Sequence, residues 1–403
     1  MKRTFVYFET AFLVLVGELS LVTLRIQDPK YANSPSLHES LLEACKGASA
    51  GGGAFSFATK DGVELFLGDE VFASFARTKK FDLIVGIDAI TNVAALNTLA
   101  NFEKELDGLS VRVFFHQVSG ALFHPKFCWF RHRTHGRLIV GSGNLTPRGL
   151  RGNWEAFTFT SLDLREFAAV EQMWEAWVAF NEGLLKSAAD KDVLARASLN
   201  ISKVRKGITT PRTKADVVEV ETAETEEDED IIAGPDATDR VLVAEIPKSK
   251  SRWKQANFTL DLYKSFFGMS VKAGSERRVL LQHVLQDGTL GEIENRPGVP
   301  VKSQNYRIEL SAGTGLSYPK QGRPTAVFVR IAPRTFTYQL LLPGDAGYTN
   351  VSAFLDAEWD GSANQVRRVE TDVASLKQSW PTSALWTTVM RPQGTHDTNS
   401  SAP

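Results

Sequence analysis

Short apolar runs alternate with amphipathic stretches over the first half of the chain. A short apolar run bounded by Gly or charged residues is typical of a strand, whereas apolar positions three and four apart are typical of a helix. Strands are predicted at GGGAFSFAT, GVELFLG, FDLIVGID, VRVFFH, LFHPKFCWF and GRLIVGS, and helices at SLHESLLEACKGA, AALNTLANFEKELDGL and DLREFAAVEQMWEAWVAFNEGLLKSA. Strands alternating with helices predict an α/β domain, a sheet covered by helices, over residues 1–202.

The pattern changes in the second half of the chain. Short β-like runs separated by Gly and Pro predict a β-rich domain over residues 241–391. These runs are RVLVAEIP, RVLLQHVL, QNYRIELS, TAVFVRI and TFTYQLLL. The polar residues 392–403 are predicted to form a disordered tail.

An acidic block separates the two halves. Within residues 203–240, Ala215–Asp230 carries nine acidic residues and no Lys or Arg. Because like charges repel one another, the sequence predicts that 203–240 is a flexible linker. An alternative is that the block lies over a basic surface as a mimic of nucleic acid and restrains activity there.

Charge is nearly balanced over the 403 residues, with a formal net charge of −1. Between Arg240 and Arg334, however, 16 Lys or Arg stand against seven Asp or Glu. This local excess of nine positive charges is typical of a surface that binds a polyanion, although solvated lysines on edge strands would give the same count.

The N-terminus and the cysteines bear on the cellular compartment. The apolar stretch Phe5–Leu24 contains Glu9 and Glu18, and a carboxylate at the centre of a membrane costs about 2.5–3.5 kcal/mol. No small-residue cleavage site follows. The sequence therefore favours a buried strand or helix, or an over-extended gene start, over a membrane anchor. Cys45 and Cys128 are too few for a cysteine metal site, and they favour a reducing, cytoplasmic compartment.

Five polar residues fall in or beside neighbouring predicted strands. His124 and Lys126 are two apart in one run, a spacing that puts both on one face of a strand. Ser142 and Asn144 are two apart in a glycine-flanked turn, and Glu155 follows 11 residues after Asn144. Adjacent strands would bring all five to one edge of the sheet.

These five residue types match what cleavage of a phosphodiester needs. The neutral imidazole of His124 can attack phosphorus and form a phosphohistidine. Lys126 and Asn144 can stabilise the non-bridging oxygens, supported by the Ser142 hydroxyl and the N–H groups of the glycine turn. The carboxylate of Glu155 can hold the imidazole in one tautomer. This chemistry requires neither a metal nor another cofactor.

The motifs HPK at 124–126 and GSGN at 141–144 resemble the HxK…GSxN signature of the phospholipase D superfamily. The interval of 20 residues from His to Asn, with the later Glu155, is most similar to its metal-independent nuclease branch. That branch includes a restriction endonuclease with a C-terminal B3-like DNA-binding domain. The resemblance is close over the 35 residues of Phe123–Phe157 and looser over the rest of the first domain.

One departure from the superfamily pattern follows the HPK motif. Many members carry an Asp a few residues after the Lys, whereas this chain has FCWFRHR there. The nuclease branch tolerates the absence of that Asp, and the resemblance then implies that Glu155 takes the orienting role.

The resemblance implies a phospholipase D-like mixed sheet flanked by helices, with a second domain that binds DNA and is B3-like. It further implies a metal-independent DNA endonuclease of a bacterial restriction or phage-defence system, acting in the cytoplasm. The alternatives are a phospholipase or phosphatidyltransferase, or a nucleic-acid-binding protein without activity. The basic second domain and the single HxK motif disfavour the lipid enzymes, and the complete set of five residues disfavours pure binding.

The number of HxK motifs predicts the assembly. Many superfamily members carry two per chain, and this chain has one, because His283 and His396 are not followed by Lys two residues later. One histidine as nucleophile and a second as general acid then require two chains. We therefore predict a C2 homodimer with both copies of His124 at the shared interface.

Three other histidines and three tryptophans have expected positions. His116 is expected to be buried, with a supporting role at the site as the alternative, whereas His132 is expected at the surface, like His135. The indoles of Trp129, Trp154 and Trp253 are expected to pack in the core, although one of them could stack on a base.

Overall fold

The computed structural model describes residues 14–16, 20–118, 121–207, 231–232, 234–248, 253–271, 277–297, 299–300, 306–362, 365–387 and 389–390. The chain divides into two compact units. One comprises Met1–Pro29 and Ser34–Glu224, and the other Lys30–Asn33 and Thr225–Pro403. The acidic block, the polar tail and most of the apolar N-terminal stretch lie outside the described residues.

The first unit is a mixed sheet with helices. Its strands are β1 (Val14–Val16), β2 (Ser20–Gln27), β3 (Ala50–Phe55), β4 (Lys80–Gly86), β5 (Leu109–Phe114), β6 (Lys126–Arg131), β7 (Gly136–Gly141), β8 (Glu155–Leu162) and β9 (Leu185–Ser187). Its helices are α1 (Leu37–Cys45), α2 (Lys60–Leu67), α3 (Glu70–Ala76), α4 (Val93–Glu105), α5 (Leu164–Phe180) and α6 (Lys191–Gly207).

Across the described residues, the strand order of this sheet is β1-β2-β8-β7-β6-β3-β4-β5-β9. Strands β3, β4 and β5 run parallel, and every other neighbouring pair is antiparallel. The predicted α/β class, a mixed sheet flanked by helices, is confirmed.

One predicted strand in this unit is a helix. The segment GVELFLG forms most of α2, in which Val63, Phe66 and Leu67 are buried. The Thr59 side chain accepts a hydrogen bond from the N–H of Gly62 and so caps the first turn. A short apolar run does not by itself distinguish a strand from a helix, and the deciding cap lies upstream of the run.

The long helix predicted over residues 163–188 is also shorter than expected. Helix α5 ends at Phe180, where the side chain of Asn181 donates a hydrogen bond to the carbonyl of Trp177 at 2.8 Å. The following residues Leu185–Ser187 leave the helix and pair with β5. A polar Asn followed by Gly183 is the local signal for this end.

Glycines at the centre of the sheet bring β3 close to β6. A Cβ atom on Gly53 would lie 2.6 Å from the sulfur of Cys128, and one on Gly52 would lie 2.9 Å from the ring of Trp129. The absence of side chains on β3 therefore makes room for the large residues of β6.

Aromatic clusters fill the interior of this unit. Phe81 of β4 stacks on Phe130 of β6 with ring centroids 5.6 Å apart, and it contacts Phe72 of α3 at 5.0 Å. A separate cluster joins Trp129 of β6 to Phe167 and Trp174 of α5. Large aromatic side chains bury much apolar area each, so they anchor the helices on the sheet.

The second unit is β-rich, as predicted. Its strands are β10 (Ile231–Ile232), β11 (Arg240–Glu245), β12 (Gln255–Phe258), β13 (Arg278–Val284), β14 (Leu290–Pro297), β15 (Val299–Pro300), β16 (Tyr306–Glu309), β17 (Thr325–Ala332), β18 (Thr335–Leu341), β19 (Arg368–Asp372) and β20 (Val389–Met390). Its helices are α7 (Leu260–Ser265), α8 (Tyr348–Glu358) and α9 (Val373–Ser379).

In the described part of this unit, the main sheet has the order β14-β13-β18-β17-β11-β19, beside a sheet β12-β16-β15 and the pair β10-β20. Each of the five runs predicted as strands in this half contributes one of these strands. Apolar clusters cover both faces of the main sheet. No helix within the described ranges is both long enough and apolar enough to span a membrane.

Candidate active site

The register of three neighbouring strands brings four of the five predicted site residues to one edge of the first sheet. Strand β6 begins at Lys126, β7 ends at Gly141 and β8 begins at Glu155. The register pairs Phe127 with Val140. Because these strands are antiparallel neighbours, the start of β6, the end of β7 and the start of β8 lie together.

His124 and Lys126 are in direct contact. The ammonium nitrogen of Lys126 lies 2.8 Å from Nε2 of His124 and 3.3 Å from Nδ1. His124 is exposed and precedes β6, so the prediction that it lies within the strand is wrong, although the two side chains still meet. Lys donates only, so Nε2 of a neutral imidazole accepts from it.

Ser142 and Glu155 form a second contacting pair. The Ser142 hydroxyl donates to Oε2 of Glu155 and accepts from the N–H of Ala156 at 3.1 Å. The amide of Asn153 donates to Oε1 of Glu155 at 3.3 Å. Both carboxylate oxygens therefore accept hydrogen bonds, one from Ser142 and one from Asn153. The role of Glu155 in orienting His124 stays a prediction.

Asn144 lies behind this edge rather than on its surface. It is 1% exposed, in the turn between β7 and a π-helical turn at Arg148–Gly152. A Cβ atom on Gly143 would lie 2.6 Å from the carbonyl oxygen of Gly149, so the glycines let the two segments close over Asn144. Its predicted role as a donor to substrate stays a prediction.

Two buried polar side chains that the sequence reasoning missed hold the segment before Glu155. The Gln27 amide donates to the carbonyl of Asn153 at 2.9 Å. Arg151, 1% exposed, donates to Glu39 at 3.1 Å and to Nδ1 of His38 at 3.2 Å. In the sequence, Gln27 and Arg151 are marked only as polar residues beside an apolar residue or a glycine. Their hydrogen-bond partners lie far away along the chain, so the sequence does not identify them.

An apolar cavity of about 830 Å³ opens beside His124. The side of α5 that carries Trp174 and Trp177 forms one wall, and the residues between β5 and β6 form another. Its other lining residues include Phe114, His116, Phe123, His124, Phe127, Leu138 and Met173. An apolar lining of this size can accommodate the hydrocarbon part of a ligand.

Of the three tryptophans expected in the core, two are buried and one is exposed. Trp129 and Trp253 are buried, as expected. Trp154, directly before Glu155, is 66% exposed, so the expectation that it packs in the core is wrong. An exposed indole beside the candidate site is a surface on which a planar group can stack.

His132 and His135 lie in the connection between β6 and β7, and both are partly exposed. The rings of His132 and His135 stack with centroids 4.5 Å apart, and Nε2 of His132 lies 2.9 Å from the carbonyl oxygen of Ala44. Burial lowers the pKa of His132, and the positive charge of Arg137 acts in the same direction. These two histidines belong to the β6–β7 connection and form no part of the candidate site.

No protein-family model matches the chain, and no curated protein is a significant match. Among solved structures, it is similar to NucT from Helicobacter pylori at 13% identity, over 42% of this chain and 99% of that one, with a TM-score of 0.31. It is similar to Nuc from Salmonella typhimurium, a phospholipase D family member, at 12% identity over 42% and 97%, with a TM-score of 0.32. It is also similar to the N-terminal domain of Helicobacter pylori LlaJI.R1, at 12% identity over 33% and 97%, with a TM-score of 0.23.

Proposed function

We propose that the first unit is a metal-independent phosphodiesterase of the phospholipase D type, and that its substrate is DNA. The observation that carries the proposal is the contact of Lys126 with His124 at 2.8 Å, at the edge where Ser142 meets Glu155. This arrangement offers a nucleophile, a cation for the phosphate oxygens and a fixed carboxylate.

The reaction has two displacements at phosphorus. A nitrogen of His124 attacks, the bond from phosphorus to the leaving oxygen breaks, and a second His124 protonates that oxygen. The second histidine then takes a proton from water, the water oxygen bonds to phosphorus, and the nitrogen–phosphorus bond breaks. The ammonium of Lys126 stabilises the charge on the non-bridging oxygens in both steps.

The second histidine would come from another copy of the chain. An exposed apolar strip on the first sheet supports this homodimer. It consists of Leu24 and Ile26 on β2 and Val140 on β7, which lie on one face because they pair with Thr158 and Ala156 of the intervening β8. Exposed apolar residues grouped on one face of a sheet are more frequent at protein–protein interfaces than on the rest of a protein surface.

The second unit would select the DNA, in the manner of a restriction or phage-defence enzyme with a B3-like domain. The support is its excess of nine positive charges between residues 240 and 334. Part of this charge is used internally, since Arg296 pairs with Glu294 at 3.0 Å and Lys254 with Glu309 at 2.9 Å. Arg240 and Arg323 also pair with Glu370 and Glu245, and Arg334 is buried. The support is therefore the net positive charge of this segment, which would attract phosphates, and not a set of individual cations.

A second candidate function is cleavage of a phospholipid, and the apolar cavity beside His124 favours it. A volume of about 830 Å³ with aromatic walls suits an acyl chain. The same two displacements would apply, with the lipid phosphodiester in place of the DNA backbone.

The test is cleavage of plasmid DNA, single-stranded DNA and phosphatidylcholine vesicles in excess EDTA, by the wild type, His124→Ala and His135→Ala. We expect DNA cleavage by the wild type and by His135→Ala, and none by His124→Ala. If only the vesicles are cleaved, the substrate is the phospholipid and not DNA. Equal cleavage by all three proteins would refute the assignment of His124.

A further inference from the structure

The backbone on both sides of His124 is fixed by buried side chains. The N–H of Phe123 donates to Oδ2 of Asp88 at 2.9 Å, and the Ser56 hydroxyl donates to the carbonyl of Pro125 at 3.2 Å. The Asp88 side chain is 3% exposed, and Ser56 is fully buried. The exposed imidazole therefore projects from a short segment that is anchored at either end.

The carboxylate of Asp88 accepts hydrogen bonds from three separate segments. Besides the N–H of Phe123, its carboxylate contacts Nε2 of His116 at 3.1 Å and the guanidinium of Arg196 on α6 at 3.4 Å. A buried carboxylate is stable only when such donors replace its water. Asn200, also on α6, donates to the carbonyls of Ile87 at 3.0 Å and Thr91 at 2.9 Å, which fixes the turn that carries Asp88.

The hydrogen bonds of His116 define its tautomer. The N–H of Val118 donates to Nδ1 of His116 at 3.2 Å, so Nδ1 is the acceptor and Nε2 carries the proton that faces Asp88. The Asp88–His116 pair thus joins the first residues after β5 to the last residues before β6. Phe123 adds a ring stack on Phe114 at 4.5 Å.

We infer that Asp88 and His116 form a positioning unit that sets where the imidazole of His124 lies relative to Lys126, an inference that rests on the proposed function. The pair acts through the backbone of Phe123, not on the imidazole itself. An asparagine at position 88 would keep the shape of the side chain. It would also remove the negative charge that strengthens all three contacts, and its NH₂ group cannot accept a hydrogen bond from the donor that it faces.

The first experiment compares Asp88→Asn with Asp82→Asn, which makes the same change at a partly exposed position of β4, the strand that precedes Asp88. Hydrogen exchange of the peptide spanning residues 115–125 is followed by mass spectrometry. We expect exchange of the Phe123 amide to quicken about tenfold in Asp88→Asn, because its buried hydrogen bond loses the charge of the acceptor. Asp82→Asn should match the wild type.

Kinetics on the cleaved substrate then separate positioning from binding. We expect kcat to fall about 100-fold in Asp88→Asn, with KM changed less than about threefold, because a small displacement of a nucleophile costs rate and not affinity. His116→Gln, whose amide can still donate to Asp88, should stay within about threefold of the wild-type kcat, whereas His116→Ala should not.

The exchange and the kinetics together test whether Asp88 and His116 position His124. Unchanged exchange in Asp88→Asn, or faster exchange with an unchanged kcat, would overturn it. If Asp88→Asn does not fold, His116→Ala provides the same comparison against the wild type. If no phosphodiester is cleaved by the wild type, the proposed function fails, and the exchange data still show whether Asp88 anchors Phe123.

Discussion

The ammonium nitrogen of Lys126 lies 2.8 Å from Nε2 of His124, at the edge of the first sheet. The contact places a positive charge beside the atom that would attack phosphorus. Lys126→Met removes that charge at similar side-chain length, so we expect the cleavage rate to fall about 10²–10³-fold. Single-turnover assays would measure this, with Lys80→Met as the control, since Lys80 is the exposed first residue of β4. An equal loss in both variants would contradict the role of Lys126.

Glu155→Gln tests whether the carboxylate of Glu155, which accepts hydrogen bonds from Ser142 and Asn153, is needed for cleavage. The substitution keeps the size of the side chain and removes its charge. If Glu155 orients His124 during the reaction, kcat should fall about 10–100-fold, the usual range for a lost orienting carboxylate. Steady-state kinetics would show this, and Glu166→Gln at the capping box of α5 is the matched control. A kcat for Glu155→Gln equal to that of the control would assign Glu155 a structural role only.

Gly53→Ala should destabilise the first unit. The new Cβ would lie 2.6 Å from the Cys128 sulfur and from the carbonyl oxygen of Phe127, and such overpacking costs about 1–3 kcal/mol. Thermal unfolding would detect a lower midpoint. Gly183→Ala is the matched control, because nothing lies within 4 Å of its Cβ position. A midpoint for Gly53→Ala no lower than that of Gly183→Ala would mean that β3 and β6 separate easily.

Stability should depend on pH through His132. Its folded-state pKa lies below the usual value of about 6.5, because burial and Arg137 disfavour the charged ring. The unfolded chain therefore binds the proton more readily, so this contribution to stability is present above about pH 6.5 and is lost as pH falls toward the folded pKa. His132→Gln should lower the slope of unfolding free energy between about pH 6.5 and 5. Identical slopes in the two proteins would show that His132 does not titrate on unfolding.

Trp154 should contribute to DNA binding if the proposed function holds. Its exposed indole precedes Glu155, and stacking of one base on an aromatic ring is worth about 1–3 kcal/mol. Trp154→Ala is therefore expected to weaken the affinity for single-stranded DNA, measured by fluorescence anisotropy. Phe180→Ala, another exposed aromatic residue, is the control. Unaltered affinity in Trp154→Ala would show that Trp154 does not contact the bound DNA.

The parts of the site that are local in sequence were predictable. The HPK and GSGN motifs lie at the ends of adjacent strands, so strand pairing alone brings His124, Lys126, Ser142 and Glu155 to one edge. The supporting contacts were not predictable, because Asp88 meets Phe123 across 35 positions and Gln27 meets Asn153 across 126. Periodicity describes which face of one element is buried, and it does not identify partners between distant elements.

The glycines of β3 bear on the order in which the chain folds. A strand with almost no side chains gains little apolar burial alone, so β3 is expected to be held mainly by backbone pairing with β4 and β6. The hairpin of β6 and β7 can form early, since its partners are close in sequence. Docking of β3 brings Ser56 to Pro125 beside His124. We therefore expect His124 to reach its final position only after β3 has paired with β6.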